Sequence, residues 1–509
     1  MNKQISRRDF LKLASAAPLA FSRPVFEMAA AGSGQVKPDN ILIMVFDTFS
    51  ANHLSFLGYP RETTPNLTRL LDRAIVFHDH YSAGVWTIPG TASLLTGTYP
   101  WTNRAFNLGA NILEPYGVGK QNIFGEMEAY HRFAFTHNPL AQSLLKNMFN
   151  SIDAYTPRHE LYLETDFMSL LFDNDYDTAS LSGVQILKKQ ERGYANSLFL
   201  SELRAVITRK QWEIYNDQFP LGIPNIERDK HFLLEDAIDW LQKGLETYPQ
   251  PFLGYVHVLP PHDPYLPRRE FIDVFKEDGW IPKEKPGHLF KNGYNQEELN
   301  RQRILYDEFI LYIDAEFQRL YEFMENMNLL ENTWVIVTSD HGELFERRIW
   351  GHFEPVLFQG VTKVPLVIFP PGQTARRDIH TQTSAVDLLP TLAHLAGKAK
   401  PAWSEGRRLP IFPGEQAEGN RMLFAVESKD TPQQDKMLAG TAMILKDGMK
   451  LIKYFGHEIL PEGEPMFEMF DLANDPEELR NLYEDQDRTS NLLRRELEAE
   501  IEKADKPYN

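Results

Sequence analysis

The sequence predicts an α/β fold: a doubly wound, mostly parallel sheet flanked by helices, followed by a smaller C-terminal α+β subdomain with an antiparallel sheet. Four short apolar runs carry the first part of this prediction, namely NILIMVF, PFLGYVHVL, TWVIVTS and KVPLVIF. Their lack of clean alternation is typical of strands buried on both faces of a parallel sheet. Strand patterns alternate with helix patterns between them, as in doubly wound sheets. Ligands of such sheets bind beyond the carboxyl ends of the strands. The first run ends at Asp47, the second runs into Pro261-His262 and the third ends at Asp340-His341, whereas the fourth ends at Pro370-Pro371.

Local patterns predict the remaining elements. We expect helices over 64–74, after Pro89, over 299–327 and over 384–396, and a short strand over 75–78. Residues 120–250 are rich in aromatic and charged side chains and show no comparable strand signals, so they predict a mostly helical insertion that walls a substrate pocket. A proline- and glycine-rich stretch over 398–420 predicts a linker. Beyond it, the runs MLFAVES, AMILKD, MKLIKYF and MFEMFDL predict antiparallel strands, and 491–506 a closing helix. The predicted catalytic domain is therefore 38–400 and the C-terminal subdomain 401–509.

Composition excludes several classes of function. The chain has 509 residues and is 42% hydrophobic, which is enough to bury a large core. Its net charge of -18 argues against a nucleic-acid partner, because polyanion binding rests on basic surface. It contains no cysteine, which excludes disulfides, thiolate metal ligands and a cysteine nucleophile. No segment approaches the length of apolar sequence that a membrane-spanning helix needs, so the mature chain is predicted to lack one.

The N-terminus predicts export. The run SRRDFLK is followed by an apolar stretch over 13–21 and by small residues around 29–31. Paired arginines, a short apolar run and small residues are typical of a twin-arginine signal peptide, which we place at 1–31. The predicted partner is the export machinery, and the predicted location is periplasmic or secreted. An ordinary amphipathic N-terminal helix is the alternative.

Eight motifs then occur in an order that resembles the sulfatase and alkaline-phosphatase-like superfamily over nearly all of the mature chain. They are VFDTFSANHLSFLGY, TTPNLTRL, WTIPGTASLLTGTYP, VHVLPPHDPY, TSDHGE, WGHFEPVLFQGVTKVPLVIF, SAVDLLPTLAHLAG and MFDLANDPEELRNL. The resemblance implies an alkaline-phosphatase-like fold and an enzyme that cleaves or transfers ester groups with the help of a metal.

The same resemblance identifies Thr87 as the candidate nucleophile. Sulfatases place a cysteine or serine here, in a CxPxR-type motif, and convert it to formylglycine; this chain has Thr87, with Thr91 where the arginine would be. Threonine is not a substrate for that conversion, so the pattern looks more like the phosphatase and phosphotransferase branches, where unmodified threonine attacks phosphorus. A bound cation would activate the hydroxyl, and Pro89 suits the first turn of a helix whose positive end faces an anionic ester. The alternative is that Thr87 only caps this helix.

The resemblance also implies one divalent cation. Asp47, Thr87, Asp340 and His341 match family positions that bind the catalytic metal. Three oxygen ligands and one imidazole favour Zn²⁺ or Mn²⁺, with Ca²⁺ or Mg²⁺ as alternatives. Thr48 replaces the second aspartate of the sulfatase pair, which moves the site away from calcium. For Asp340 and His341 the alternative is a strand-end cap and a surface histidine.

Further candidates concern the substrate. His262 resembles the family histidine that contacts the transferring oxygens or protonates the leaving group, and His352 lies where the family has a histidine or lysine touching the same oxygens. His257 is a candidate substrate-binding residue or a packed core histidine. Lys363 matches a basic family position, although a solvated lysine is the alternative. Asn107 is a further candidate for the pocket.

Three functions remain open at this point. The first is a metal-dependent hydrolase or transferase of phosphate esters with a threonine nucleophile. The second is a sulfuric ester hydrolase without formylglycine. The third is a catalytically silent binding protein, for which the missing arginine at Thr91 is the main argument. The expected substrate is an anionic ester of a small molecule, a glycan or a lipid-linked group.

Overall fold

The computed structural model describes residues 38–107, 116, 119–163, 212–226, 230–412, 414–415, 421–461 and 464–508. The predicted signal peptide at 1–31 and the middle of the predicted insertion at 120–250 lie outside the described residues. Among the described residues, no helix combines the length and the apolar character needed to cross a membrane.

The strands, in chain order, are β1 Asn40–Phe46, β2 Ile75–Phe77, β3 His80–Tyr81, β4 His131–Thr136, β5 Ala154–Thr156, β6 Asn225–Ile226, β7 Lys230–His231, β8 Phe252–Val258, β9 Thr333–Thr338, β10 Leu344–Glu346, β11 Ile349–Gly351, β12 Leu366–Phe369, β13 Arg377–Ile379, β14 Thr383–Ser384, β15 Leu423–Glu427, β16 Gly440–Lys446, β17 Met449–Phe455 and β18 Met466–Asp471. The helices are α1 Pro65–Leu70, α2 Thr87–Thr96, α3 Pro100–Asn103, α4 Ile123–Glu126, α5 Pro139–Lys146, α6 Leu234–Thr247, α7 Gln296–Asn326, α8 Gln359–Thr362, α9 Leu388–Leu395 and α10 Arg488–Asp505.

An eight-stranded sheet forms the centre, in the order β13-β2-β12-β9-β1-β8-β4-β5. Strand β1 pairs in parallel with β8 on one side and β9 on the other, so that Val45 lies beside both His257 and Thr338. Side chains of β1 alternate between two hydrophobic clusters, one on each face of the sheet. Burial on both faces explains why the run NILIMVF shows no polar alternation.

Strand β12 runs against its neighbours. It pairs antiparallel with both β9 and β2, and Leu366, at its start, lies beside Thr338, at the end of β9. The carboxyl end of the run KVPLVIF, at Pro370, therefore lies at the opposite edge of the sheet from the ends of β1 and β9. Our expectation that all four apolar runs end at one edge is wrong for this strand, because apolar composition does not encode strand direction.

The mostly parallel central sheet is confirmed, and so is a C-terminal antiparallel sheet, formed by β15 to β18 with α10 packed against it. The region expected to be mostly helical also supplies β4 and β5 to the central sheet. Sequence analysis missed β4 because only FAFT of HRFAFT is fully buried. The long helix α7 begins with a capping box between Asn295 and Glu298.

Candidate metal and nucleophile site

Three neighbouring strands deliver ionisable side chains to one edge of the sheet. Asp47 follows β1, His257 is the last residue but one of β8, and Asp340 and His341 follow β9 after Ser339. All four ionisable side chains are completely buried. Ser339 ties two of the loops together, because its hydroxyl lies 2.6 Å from the carbonyl oxygens of both Phe46 and His341.

The turn after β1 is strained. Thr48 has φ 60, in the left-handed region that β-branched residues rarely adopt. Tyr306 of α7 holds this turn, because its hydroxyl donates to the Thr48 carbonyl at 2.6 Å and accepts from the Ser50 amide at 2.9 Å. The long helix therefore fixes the turn that presents Asp47.

Asp47, Asp340 and His341 form a compact cluster. Each offers one ligand atom, and these three atoms all lie within 4.8 Å of one another. His341 Nε2 lies 3.5 Å from Asp47 Oδ1 and 3.5 Å from Asp340 Oδ2. None of these three atoms has a hydrogen-bond partner within the described part of the chain. Buried polar atoms are rarely left unpaired, so the arrangement indicates a missing ligand.

The histidine of this cluster is oriented for metal binding. His341 Nδ1 lies 3.0 Å from the Gly342 carbonyl oxygen, and a carbonyl can only accept a hydrogen bond. The proton is therefore on Nδ1, which leaves the Nε2 lone pair facing the two carboxylates. Burial lowers the pKa of His341 to about 4, which keeps the imidazole neutral, as a metal ligand requires.

The two carboxylates differ in their ionisation. Burial opposes the charge of Asp47, but the adjacent His257 and the charge of His262 outweigh it and lower the pKa. Burial and the Asp47 charge raise the pKa of Asp340. Two buried acids at one point need positive charge to ionise together.

The donors fit a divalent cation. Two carboxylate oxygens and one imidazole nitrogen, all buried and unpaired, are ligand types that Zn²⁺ and Mn²⁺ accept, and a doubly charged ion would offset both acids. Asp47, Asp340 and His341 would hold it, and it would supply Lewis-acid chemistry there.

Thr87 is the first residue of α2 and is buried. The helix packs closely against the Asp340 loop: a Cβ at Gly90 would lie 2.3 Å from the Asp340 carbonyl oxygen, so only glycine allows this approach. The Ser82 hydroxyl also donates to that oxygen. The first turn of α2 thus lies beside the metal-ligand loop, with backbone N–H groups that have no partner within the helix.

Asn138 connects Thr87 to the cluster, and sequence analysis missed it. Its Nδ2 donates to Asp47 Oδ2 at 2.5 Å and to Thr87 Oγ1 at 3.1 Å. It follows β4, the strand that was also missed, and begins α5. The sequence Asn138-Pro139 signals the start of a helix, but it carries no sign of a site residue.

His257 lies near the end of β8, close to the carboxylates of Asp47 and Asp340. Its Nε2 lies 3.3 Å from Asp47 Oδ2 and 3.8 Å from Asp340 Oδ2, and its Nδ1 is 3.2 Å from the Tyr255 hydroxyl. Burial opposes its protonation, but Asp340 and Asp47 outweigh burial and raise the pKa of His257. The structure therefore places it beside the metal ligands and completely buried, and not on the wall of the substrate cavity.

His262 and His352 lie together above the cluster, with ring centroids 5.0 Å apart. Burial opposes the charge of His262, but Asp263, Asp47 and Glu343 outweigh it and raise the pKa well above the usual value. Burial lowers the pKa of His352 to about 3, and the neighbouring His262 charge adds to this effect. One imidazole is therefore charged and the other neutral.

A cavity of about 530 Å³ opens over these groups. The polar side chains of Thr87, Asn138, His262 and His352 line it. The lining also includes Trp86, Asn107, Leu140, Ile226, Leu259, Phe353 and Lys429. Asn107 lies on the wall as expected for a pocket residue, and its Nδ2 donates to the Thr431 carbonyl at 3.0 Å.

Lys363 is placed elsewhere. Its ammonium donates to Asp79 Oδ1 at 2.9 Å, and it lines a separate cavity with His53 and Tyr59. The reversed direction of β12 places the start of that strand at the same edge as the ends of β1 and β9, but the Lys363 side chain pairs with Asp79 and lines the other cavity. Thr91 is buried one turn into α2, next to Tyr255.

Sequence comparison identifies the family. The profile described as Sulfatase matches residues 39–398, and one described as N-sulphoglucosamine sulphohydrolase, C-terminal, matches residues 349–506. The chain belongs to the sulfatase family. A choline-sulfatase from Rhizobium meliloti (strain 1021) is 32% identical over 472 residues, which cover 87% of this chain and 82% of the relative. Membership in the sulfatase family makes the protein an enzyme that hydrolyses sulfate or phosphate esters.

Solved structures show the same fold. A phosphonate monoester hydrolase of Agrobacterium radiobacter aligns with a TM-score of 0.66 and 20% identity, covering 91% of this chain and 96% of that one. A structure solved with its substrate D-glucosamine-2-N,6-O-disulfate aligns with a TM-score of 0.62 and 16% identity, covering 93% of this chain and 98% of that one. The sulfatase-family fold is therefore alkaline-phosphatase-like.

Proposed function

We propose that this sulfatase-family protein is a metal-dependent hydrolase or transferase of phosphate esters, with the unmodified Thr87 hydroxyl as nucleophile. The observation that carries the proposal is the shared contact of Asn138, whose amide donates to both Asp47 Oδ2 and Thr87 Oγ1. It brings the hydroxyl to the edge of the carboxylate cluster, and Thr87 also lines the cavity. The chain has no cysteine, so formylglycine made from cysteine is not available to it.

A bound divalent cation would lower the pKa of the Thr87 hydroxyl and neutralise charge on the ester. Thr87 Oγ1 loses its proton to solvent and attacks the phosphorus atom in line, and the bond from phosphorus to the alcohol oxygen breaks. The N–H groups of Thr87 and Ile88, in the first turn of α2, would be available to the ester oxygens. Water or an acceptor alcohol releases the phosphoryl group from Thr87 in a second displacement.

His262 is placed to protonate the departing alcohol. It lines the cavity, and its raised pKa keeps a proton available at neutral pH. Its Nδ1 is directed to the Asp263 carbonyl oxygen at 2.8 Å, which leaves Nε2 as the donor toward substrate. The neutral His352, whose Nδ1 is bonded to Glu343 Oε1 at 2.9 Å, directs its Nε2 to the same region.

Sulfate ester hydrolysis is the second candidate. The 32% identity with a choline-sulfatase favours it, and a relative solved with a disulfated glucosamine favours a glycan ester. Threonine at position 87 favours phosphate, because the usual sulfatase chemistry needs a formylglycine that threonine does not give. Small-molecule, glycan and lipid-linked esters are all substrates of the proposed class.

Paired assays test the proposal. One preparation, loaded in turn with Zn²⁺, Mn²⁺, Mg²⁺ and Ca²⁺, is given 4-nitrophenyl phosphate, bis(4-nitrophenyl) phosphate and 4-nitrophenyl sulfate. The proposal expects kcat/KM for one phosphate ester to exceed that for the sulfate by at least about 100-fold, a difference of about 2.7 kcal/mol in transition-state stabilisation. A larger kcat/KM for the sulfate would favour the second candidate.

We also propose that the chain is exported through the twin-arginine route, on the basis of Arg7 and Arg8. Replacing both arginines by lysine in the full chain should leave the protein in the cytoplasmic fraction and unprocessed. Unchanged export of this variant would contradict the proposal.

A further inference from the structure

Asn138 is the N-cap of α5, and this role fixes the orientation of its side chain. The Oδ1 atom accepts hydrogen bonds from the backbone N–H groups of Leu140, at 2.7 Å, and of Ala141, at 3.3 Å. An amide oxygen can accept these bonds and an amide nitrogen cannot. The side chain is also buried. The backbone N–H of Asn138 donates to the Thr136 hydroxyl at 3.0 Å.

The helix cap therefore determines which atom faces the candidate active site. With Oδ1 held by α5, Nδ2 must point toward Asp47 and Thr87. Its two hydrogens have two acceptors, Asp47 Oδ2 at 2.5 Å and Thr87 Oγ1 at 3.1 Å. Every polar atom of this side chain has a partner, so rotation of the amide would lose four hydrogen bonds at once.

Each of the two donated bonds has a distinct effect. The bond to Asp47 Oδ2 occupies one carboxylate oxygen, and it leaves Oδ1, which has no hydrogen-bond partner in the described chain, facing His341. The bond to Thr87 Oγ1 occupies one lone pair of the hydroxyl, which fixes the direction of the remaining lone pair and favours negative charge on the oxygen. One amide thus sets the position of a metal ligand and of the nucleophile.

We infer that Asn138 is a positioning residue of the reaction: it couples the nucleophile Thr87 to the metal ligand Asp47, and the N-cap of α5 holds it in place. This inference rests on the proposed function, because it requires Thr87 to be the nucleophile. The cap and the donor are separable by substitution. Serine is a good N-cap but is too short to reach Thr87, whereas aspartate is isosteric, keeps the cap and replaces the donor by an acceptor.

The experiment compares Asn138→Ser and Asn138→Asp with Asn122→Ser in the full chain. Asn122 is a matched control, because it is also a buried asparagine that caps a helix, with Oδ1 accepting from the Gly125 amide at 2.9 Å. The measurements are kcat and KM on the best phosphate ester, Mn²⁺ affinity by calorimetry and the melting temperature.

We expect Asn138→Ser to lower kcat about 100-fold, as for loss of one oriented donor, with KM within about threefold of wild type. Its Mn²⁺ affinity should fall about 10-fold, because the hydrogen bond that orients Asp47 is lost. Asn138→Asp should lower kcat at least as far. Asn122→Ser should change neither kcat nor the Mn²⁺ affinity.

Wild-type kcat and Mn²⁺ affinity in Asn138→Ser would overturn the inference, and so would equal losses in Asn122→Ser. If Asn138→Ser does not fold, wild-type kcat and Mn²⁺ affinity in Asn138→Asp would overturn the inference. Activity of Thr87→Ala separates failure of the inference about Asn138 from failure of the proposed function. Wild-type turnover in Thr87→Ala removes the nucleophile itself, whereas an inactive Thr87→Ala with a fully active Asn138→Ser overturns only the role of Asn138.

Discussion

His341 Nε2 faces Asp47 Oδ1 across a gap of 3.5 Å, and neither atom has a hydrogen-bond partner among the described residues. Buried polar atoms normally have hydrogen-bond partners. The distance between these two atoms is one that two ligands of the same metal ion adopt. The Gly342 carbonyl holds the His341 ring in this orientation from the other side.

Metal removal should therefore affect both activity and stability. We predict that exhaustive chelation abolishes turnover and lowers the melting temperature, because Asp47 and Asp340 lose the charge that offsets them. A ligand present at 100 times its Kd stabilises a fold by about 2.7 kcal/mol, which is several degrees. Elemental analysis, thermal melts and re-addition of Zn²⁺ or Mn²⁺ measure the effect. His341→Ala, which removes a ligand, should not respond to either ion, and equal activity in protein shown to be metal-free would contradict the prediction.

His262 should matter most for poor leaving groups. If it protonates the departing alcohol, His262→Asn should lower kcat by about 100-fold for alkyl esters and far less for 4-nitrophenyl esters, whose alcohol leaves without a proton. The rates of both proteins are measured on a series of aryl esters whose alcohols differ in pKa. The rate should depend more steeply on that pKa in His262→Asn than in the wild type. A uniform loss across the series would instead indicate that His262 only binds the ester.

His137 should make the fold sensitive to acid. Its ring is buried, stacks on Phe232 with centroids 4.1 Å apart, and has no hydrogen-bond partner on either nitrogen among the described residues. Burial lowers its pKa to about 3. Between that value and the ordinary pKa near 6.5, the unfolded chain binds more protons than the folded one, so stability is lost as the pH falls through this window.

His137→Phe should remove this contribution without removing the stacking. The free energy of unfolding of the wild type should fall more steeply than that of the variant between pH 6 and pH 4, by up to about 1.4 kcal/mol per pH unit. Urea denaturation across this range measures both slopes. Parallel slopes for the two proteins would contradict the assignment.

The sequence predicted that ionisable residues lie together where they come after long buried strands. Asp47, Asp340 and His341 come directly after β1 and β9, and parallel strands bring such positions to one edge. Asn138 was missed because β4 is short and partly exposed at its start, and because an asparagine before a proline is an ordinary helix start.

Strand direction and side-chain orientation required the structure. The reversal of β12 puts Lys363 at the same edge of the sheet as the cluster, and no residue pattern shows that its side chain pairs with Asp79. His257 belongs to a strand whose register places it against two carboxylates. The sequence showed only that this histidine lies within an apolar run.

The most direct test of the central claim is turnover by Thr87→Ala, with Thr91→Ala as the matched control. Both threonines are buried on α2, but only Thr87 accepts the hydrogen bond from Asn138 and lines the cavity. The two variants are loaded with the metal that best supports wild-type activity, and metal content is measured beside kcat/KM. We predict that Thr87→Ala loses at least about 1000-fold in kcat/KM on the best ester while Thr91→Ala stays within about tenfold of wild type. Wild-type kcat/KM in a metal-loaded, folded Thr87→Ala would contradict the assignment of the nucleophile.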